Sequence, residues 1–181
     1  MSAERQAFQA LFDDAFADVW GFARRRCASS ADADDVAAET FAVAWRRRAD
    51  VPAAEARLWL FGIARHVLAN LQRSATRRAR LHLRLAEDIA PGPGREEGAG
   101  YDGALLTALA TLSLDDREIL IMHAWDELSV TEISHLLDCS PNAVSLRLHK
   151  ARRRLATEMQ KDVAVPGHVV TGPRLLEGEM P

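Results

Sequence analysis

The sequence predicts an all-α fold: two small helical domains joined by a flexible linker, the second a helix-turn-helix. The 181 residues are 48% hydrophobic and only 6% aromatic, and Ala and Leu dominate the apolar set, which favours helices over strands. Apolar residues recur at helical spacing on either side of residues 90–100. That short stretch holds four glycines and two prolines and lacks any apolar period, so it is typical of a linker.

These breaks predict the domain boundaries. We expect a first helical domain over residues 1–85, a flexible linker over 86–103 and a second helical domain over 104–160. Residues 161–181 form a tail without helical period, and the sequence leaves open both its role and its order. No internal repeat is visible.

Three helices are predicted in the first domain. The first carries a buried stripe at the spacing i, i+3, i+4, i+7, made of Phe8, Leu11, Phe12, Ala15 and Val19. After a polar break, Asp32 is expected to cap a second helix, which Val51-Pro52 ends. The third is predicted over residues 58–71, followed by an arginine-rich segment. Trp45 and Trp59 are read as core residues, with stacking platforms for unpaired bases as the alternative.

The second domain carries clearer helix signals. A leucine stripe predicts its first helix, and Ser113 with an acid three residues later starts the next. Ser129 and Glu132 have the spacing of a capping box, which opens a short helix through Leu137. Asp138-Cys139 then forms a turn, and Ser140-Pro141 begins a helix that continues to about residue 159.

A short capped helix, a turn and a longer basic helix form a helix-turn-helix pattern. One side of the long helix would pack inward: Val144, Leu148, Ala151 and Leu155. Another side would face base edges in a major groove: Asn142, Ser145, Leu146 and His149. Flanking cations suit phosphate: Arg147, Lys150, Arg153 and Arg154. An ordinary helical hairpin with a basic surface is the alternative interpretation.

The charge distribution points the same way. The net charge of -3 shows that the chain as a whole is not a basic nucleic-acid binder. However, residues 56–86 hold seven arginines and no acid, and a second basic run ends the long helix. This pattern suggests two separate nucleic-acid contacts, with two solvated helix faces as the alternative.

Several classes of site and location are not expected. Cys27 and Cys139 lie far apart without a ligand pattern, so we expect a reduced compartment and no metal site. The chain has no apolar segment of membrane-spanning length and no signal sequence, which predicts a cytoplasmic protein that does not insert into a membrane. No constellation of catalytic residues is visible, and neither an enzyme nor a cofactor is expected.

Residues 132–152 contain a pattern made of Glu132, Ile133, Leu136, Val144, Arg147, Leu148, Ala151 and Arg152. This pattern resembles region 4 of the extracytoplasmic-function (ECF) sigma factors of RNA polymerase. Residues 34–41 resemble the family's E-D-L-V-Q-E-T-F, and residues 59–66 resemble its W-L-x-x-I-A-R-N. The resemblance covers about residues 8–160, and the linker lies where the family has one.

The resemblance implies a promoter-recognition and strand-opening function as a dissociable subunit of RNA polymerase. Asp35 and Glu39 would dock on core polymerase. The segment 65–78 would meet the minus-ten element, and the residues we assign to this contact are Arg65, His66, Asn70, Arg73 and Arg77. The long basic helix would read the minus-thirty-five element. Core RNA polymerase, promoter DNA and an anti-sigma factor are the implied partners.

The alternative function is a stand-alone helix-turn-helix regulator, whose first domain would dimerise or sense a ligand. Three positions depart from the family pattern: Ala38, His66 and the Ser145-Leu146 pair, which leaves a less basic reading side. We further expect that the linker, about 18 residues long, leaves the separation of the two basic faces undefined in the free protein.

Overall fold

The computed structural model describes residues 3–83 and 103–163, with the side chains of 3–74, 105 and 107–161. Regular structure within these ranges consists of seven α-helices and one 3-10 turn, without a strand, which confirms the all-α prediction. The helices are α1 (Ala3–Arg24), α2 (Ser30–Arg46), α3 (Ala56–Leu83), α4 (Gly103–Thr111), α5 (Leu114–Ala124), α6 (Val130–Leu137) and α7 (Pro141–Val163). The predicted linker, apart from residue 103, and most of the predicted tail lie outside the described residues.

Helices α1, α2 and α3 pack against one another as the first unit. The predicted stripe of α1 faces inward, and Val19 is fully buried. Phe22 of α1 and Phe61 of α3 stack at the centre, with ring centroids 4.5 Å apart. Because α3 contains no glycine or proline between Leu71 and Leu83, it continues well beyond the predicted end at residue 71.

The start of α2 differs from the prediction. The hydroxyl of Ser29, not the carboxylate of Asp32, caps the helix, and it accepts a hydrogen bond from the backbone N–H of Asp32 at 3.1 Å. Ser29 precedes the first helical residue, which is the position from which a side chain reaches the unpaired N–H groups. Asp32 therefore lies in the first turn, where its negative charge suits the helix dipole.

The second unit consists of α4 to α7, with α7 packed against the other three helices. Its core contains Ile119, Met122 and Leu128, each at most 2% exposed, together with residues from the inner side of α7. The hydroxyl of Ser113 caps α5 as predicted and accepts from the N–H of Asp116 at 3.2 Å. This core fixes the position and rotation of α7.

The helix-turn-helix begins with the predicted capping box. Ser129 accepts a hydrogen bond from the Glu132 N–H at 3.2 Å, and the Glu132 carboxylate accepts one from the Ser129 N–H at 2.8 Å. Asp138 then takes a left-handed conformation with φ of 50°, which aspartate tolerates better than most residues, and α6 ends there. Ser140 caps α7 by accepting from the N–H of Ala143 at 3.2 Å.

The two units contact each other, which corrects the expectation of an undefined separation. Helix α3 packs on α6, and a Cβ atom added at Gly62 would lie 3.8 Å from the side chain of Leu136. Several arginines of the first unit also bind acceptors in the second. The expected undefined separation is wrong because these contacts join residues that are 69 to 101 positions apart. A local sequence pattern cannot predict contacts over such distances in the chain.

Candidate nucleic-acid interface

The predicted reading side of α7, near the N-terminus of the helix, is exposed. Its buried side holds Val144, Leu148 and Ala151, each at most 3% exposed, and seats the helix on α6 and the core. The predicted reading residues occupy the other side, and all are exposed: Asn142, Ser145, Leu146 and His149. The helix therefore presents three polar side chains and one leucine to solvent near its capped N-terminus, the arrangement that reads base edges in a major groove.

Cations flank this side, and the structure distinguishes one of them. Arg147, Lys150 and Arg153 are exposed. Arg154 forms an ion pair with Asp116 of α5, whose side chain is only 12% exposed. Phosphate would have to compete with Asp116 for Arg154. The first three residues are therefore better placed than Arg154 for phosphate contacts.

The arginine-rich side of α3 is partly exposed. His66, Asn70 and Arg73 lie on one exposed face, and Arg73 donates a hydrogen bond to the Asn70 carbonyl oxygen at 2.7 Å. Arg65 is half-buried and donates instead to the backbone carbonyl of Leu136 at the end of α6. The side chain of Arg77 lies outside the described residues. The structure thus brings together three of the five predicted residues and directs Arg65 to the second unit.

The acid pair of α2 faces solvent. Asp35 and Glu39 are exposed one helical turn apart, whereas Val36, Thr40 and Phe41 on the other side are at most 5% exposed. Glu39 forms an ion pair with Arg46 at 3.0 Å, and both side chains are more than half exposed. An exposed pair of this kind contributes little energy, so a basic partner could displace it.

The two tryptophans serve packing. Trp45 is half-buried and meets the ring of Phe8 edge-on, with centroids 5.0 Å apart, while the guanidinium of Arg48 lies 4.6 Å from the Trp45 ring. Trp59 packs against the hydrophobic core of the first unit. Both rings are thus occupied by neighbouring side chains rather than presented as open platforms.

A cluster of charged side chains between the two units is not predicted by the sequence. The carboxylate of Asp126, two residues after α5, is 0% exposed and accepts hydrogen bonds from Arg25 Nε at 2.9 Å and from Arg26 Nη2 at 2.7 Å. Arg26 also binds the carboxylate of Glu118 at 3.0 Å. Arg57 donates to the backbone carbonyl of Asp126 at 2.9 Å. The sequence signal for this cluster is the run of three arginines at residues 24–26, and it does not indicate which acids these arginines bind.

Other kinds of site receive no support from the described ranges. Across residues 3–83 and 103–163, no group of His, Cys, Asp and Glu has an arrangement that could hold a metal ion. None of the helices in this part of the chain is long and apolar enough to span a membrane.

The fold and its exposed sides define a two-unit helical protein with a helix-turn-helix. Residues 11–78 match the family model for sigma-70 region 2, and residues 102–155 match the model for sigma-70 region 4. The chain is 31% identical over 167 residues to the ECF RNA polymerase sigma factor SigL of Mycobacterium tuberculosis, covering 88% of this chain and 93% of the relative. The chain therefore belongs to the ECF RNA polymerase sigma factors, which are transcription factors rather than enzymes.

Other relatives agree. The RNA polymerase sigma factor NccH of Alcaligenes xylosoxydans is 33% identical over 139 residues, which cover 71% of this chain and 74% of the relative. Sigma factor CnrH, solved in complex with the cytosolic domain of CnrY, superposes with a TM-score of 0.62 at 26% identity over 87% of this chain and 90% of that one. The sigma factor RpoE of Bartonella quintana, solved with the anti-sigma factor NepR, shares the fold with a TM-score of 0.69 at 22% identity, over 87% and 99% of the chains.

Proposed function

We propose that this protein binds core RNA polymerase, recognises promoter DNA and promotes strand opening for transcription initiation. One observation carries the proposal: the reading side of α7 is exposed on a helix whose opposite side is fixed in the core. Side chains held this way can test base edges without reordering the helix, and α7 would do so at the minus-thirty-five element.

The other two surfaces supply the remaining steps. His66, Asn70 and Arg73 would contact the minus-ten element, with the cation on phosphate and the flatter side chains against unpaired bases. Asp35 and Glu39 would dock on a basic surface of core polymerase. An anti-sigma factor is a further proposed partner, because RpoE was solved bound to one.

The direct test is a pull-down with core polymerase followed by run-off transcription on promoter templates. Transcripts that start at a defined position only when the protein is added would support the proposal. Specific binding to a promoter duplex without core polymerase, together with no effect on the transcripts, would instead identify a stand-alone regulator.

The docking surface can be tested by charge reversal. We expect the double variant Asp35→Arg, Glu39→Arg to compete for core polymerase at least about tenfold less well, because like charges facing each other across an interface cost several kcal/mol. The matched control is Asp50→Arg, Glu55→Arg, which makes the same charge change at exposed positions outside α2. Equal competition by the two double variants would remove Asp35 and Glu39 from the interface.

A further inference from the structure

The contacts between the two units are strongly asymmetric. Four arginines of the first unit, which we call the arginine clamp, donate to acceptors of the second unit: Arg25, Arg26, Arg57 and Arg65. The acceptors are two carboxylates, of Asp126 and Glu118, and the backbone carbonyls of Asp126 and Leu136. The second unit therefore depends on the first to neutralise its buried charge.

The charged groups of the arginine clamp are paired with each other when the two units are in contact. The Asp126 side chain is 0% exposed and that of Arg26 is 6% exposed, so each would be a buried charge without the other. Arg26, two residues after α1, is also held by that helix, since it donates to the Phe22 carbonyl at 2.9 Å and lies over the Phe22 ring. When the units part, both partners return to water together, and hydration replaces much of the lost attraction. The clamp is therefore a reversible contact.

The clamp uses a residue that promoter binding would also need. Arg65 donates to the backbone carbonyl of Leu136 in the last turn of α6, where the negative end of the helix dipole lies. Arg65 is also one of the five residues that the sequence assigns to the minus-ten element, and in an open protein the same guanidinium would be available to promoter DNA. It cannot make both contacts, so the closed arrangement competes directly with the promoter for Arg65.

The closed arrangement is also too short for two promoter elements. Elements about 25 base pairs apart lie about 85 Å from each other along the duplex, at about 3.4 Å per base pair. Helix α7, with 23 residues, is about 35 Å long, and its unit touches the α3 segment directly. The 19 residues between α3 and α4 could reach about 60 Å if extended, which allows the units to move apart. Both elements can therefore be bound only after the units separate.

We propose that the arginine clamp holds the free protein closed, and that its opening controls how readily the protein engages core polymerase and promoter DNA. This inference rests on the proposed function for the polymerase contact, whereas the closure itself does not depend on it. A binding-competent state that is only partly populated weakens the apparent affinity in proportion to its population. Loosening the clamp should consequently strengthen binding.

The test uses the full-length protein and the variant Asp126→Asn, which keeps the size of the side chain and removes its charge. Small-angle X-ray scattering measures closure without any ligand. A compact chain of this length has a radius of gyration of about 16 Å, and separation of the two units should raise the measured radius by about 5 Å. Titration of the dye-labelled protein with purified core polymerase should show binding at least about fivefold tighter than wild type, the lower end of ordinary coupling between sites.

A second variant guards against misfolding. Arg25→Gln acts from the other side of the clamp, on a side chain that is 28% exposed at the end of α1, and it should produce the same two changes. Asp50→Asn, in an exposed ion pair of the first unit, is the control and should change neither measurement. Circular dichroism shows whether each variant retains its helices, and Arg25→Gln decides the test if Asp126→Asn does not fold.

An unchanged radius in the folded variants would overturn the clamp, and a larger radius with unchanged polymerase affinity would overturn its control of binding. If the wild type and both opened variants all failed to bind core polymerase, the proposed function would fail. The scattering result alone would then decide whether the clamp closes the free protein.

Discussion

On the proposed function, single side chains on α7 divide into those that would read sequence and those that would hold DNA. Leu146 is 53% exposed between polar neighbours, where it contributes nothing to the core. An apolar side chain in a major groove can contact the methyl group of thymine, which gives this leucine a use in recognition. Arg153 and Arg154 are adjacent in sequence, yet only Arg154 is paired with an acid. Neighbouring arginines are therefore not equivalent.

We expect Asn142→Ala and Leu146→Ala to change which upstream sequences are preferred, by about 1–3 kcal/mol for each lost base contact. Arg153→Ala should weaken binding to all sequences alike and reduce the salt slope by about 1. Arg154→Ala should have a smaller effect than Arg153→Ala, because Asp116 already occupies its guanidinium. Binding of the polymerase complex to a promoter library at several salt concentrations compares all four variants with the wild type. The same sequence-independent loss for every variant would contradict this division of α7.

The elements of the second unit follow closely from their local sequence. The caps at Ser113, Ser129 and Ser140 were predicted, and each forms, because a cap needs only a hydroxyl and the three residues after it. At α2 the expected cap was Asp32 and the actual cap is Ser29, since both residue types are good caps and only the first turn of the folded helix distinguishes them. The end of α3 was missed because residues 72–80 hold no apolar side chain larger than alanine, so this basic stretch gives no periodic signal.

The capping box of α6 should be visible in stability measurements. We expect Ser129→Ala to lower the free energy of unfolding by about 0.5–2 kcal/mol, since it removes the acceptor for the Glu132 N–H. Thr131→Ala, at an exposed position of the same turn, is the control for helix propensity. Urea unfolding followed by circular dichroism compares them. Equal losses for the two variants would show that the box contributes nothing.

The same box predicts a dependence on pH. Hydrogen bonds from the Ser129 side chain and backbone lower the pKa of Glu132 below its ordinary value. The contribution is therefore complete above the unfolded value of about 4.3 and is lost as the pH falls through the lower folded pKa. Unfolding free energies of wild type and Glu132→Gln should differ at pH 7 and converge in acid. A constant difference down to pH 3 would contradict the assignment.

At the scale of the whole molecule, the sequence indicated two units and three surfaces but not their arrangement. Asp35, Glu39 and the reading side of α7 are exposed, as predicted from their helical spacing. The helical period of apolar residues in the local sequence shows which side of a helix is buried. Arg25 and Asp126 are 101 positions apart in the sequence. The residues next to Arg65 in the sequence do not indicate that its guanidinium binds the Leu136 carbonyl rather than DNA. Such contacts depend on how the surfaces of the two folded units fit together.

We expect the isolated protein to bind promoter duplex weakly, and core polymerase to add most of the affinity and specificity. The net charge of -3 gives little long-range attraction for DNA, and the clamp occupies Arg65 in the free state. A polymerase that fixes the spacing of the units would remove the ordering cost. Anisotropy of a labelled promoter duplex at physiological salt, with and without core enzyme, measures this. Tight and specific binding by the protein alone would favour the stand-alone regulator.

The chemistry of the clamp also bears on solubility. Surfaces that separate when a protein opens are transiently exposed to solvent. An apolar surface in that position would promote aggregation with other chains. Here the parting faces would uncover guanidinium and carboxylate groups, which water hydrates readily. Two units joined by such charged contacts can separate and close repeatedly with little tendency to aggregate.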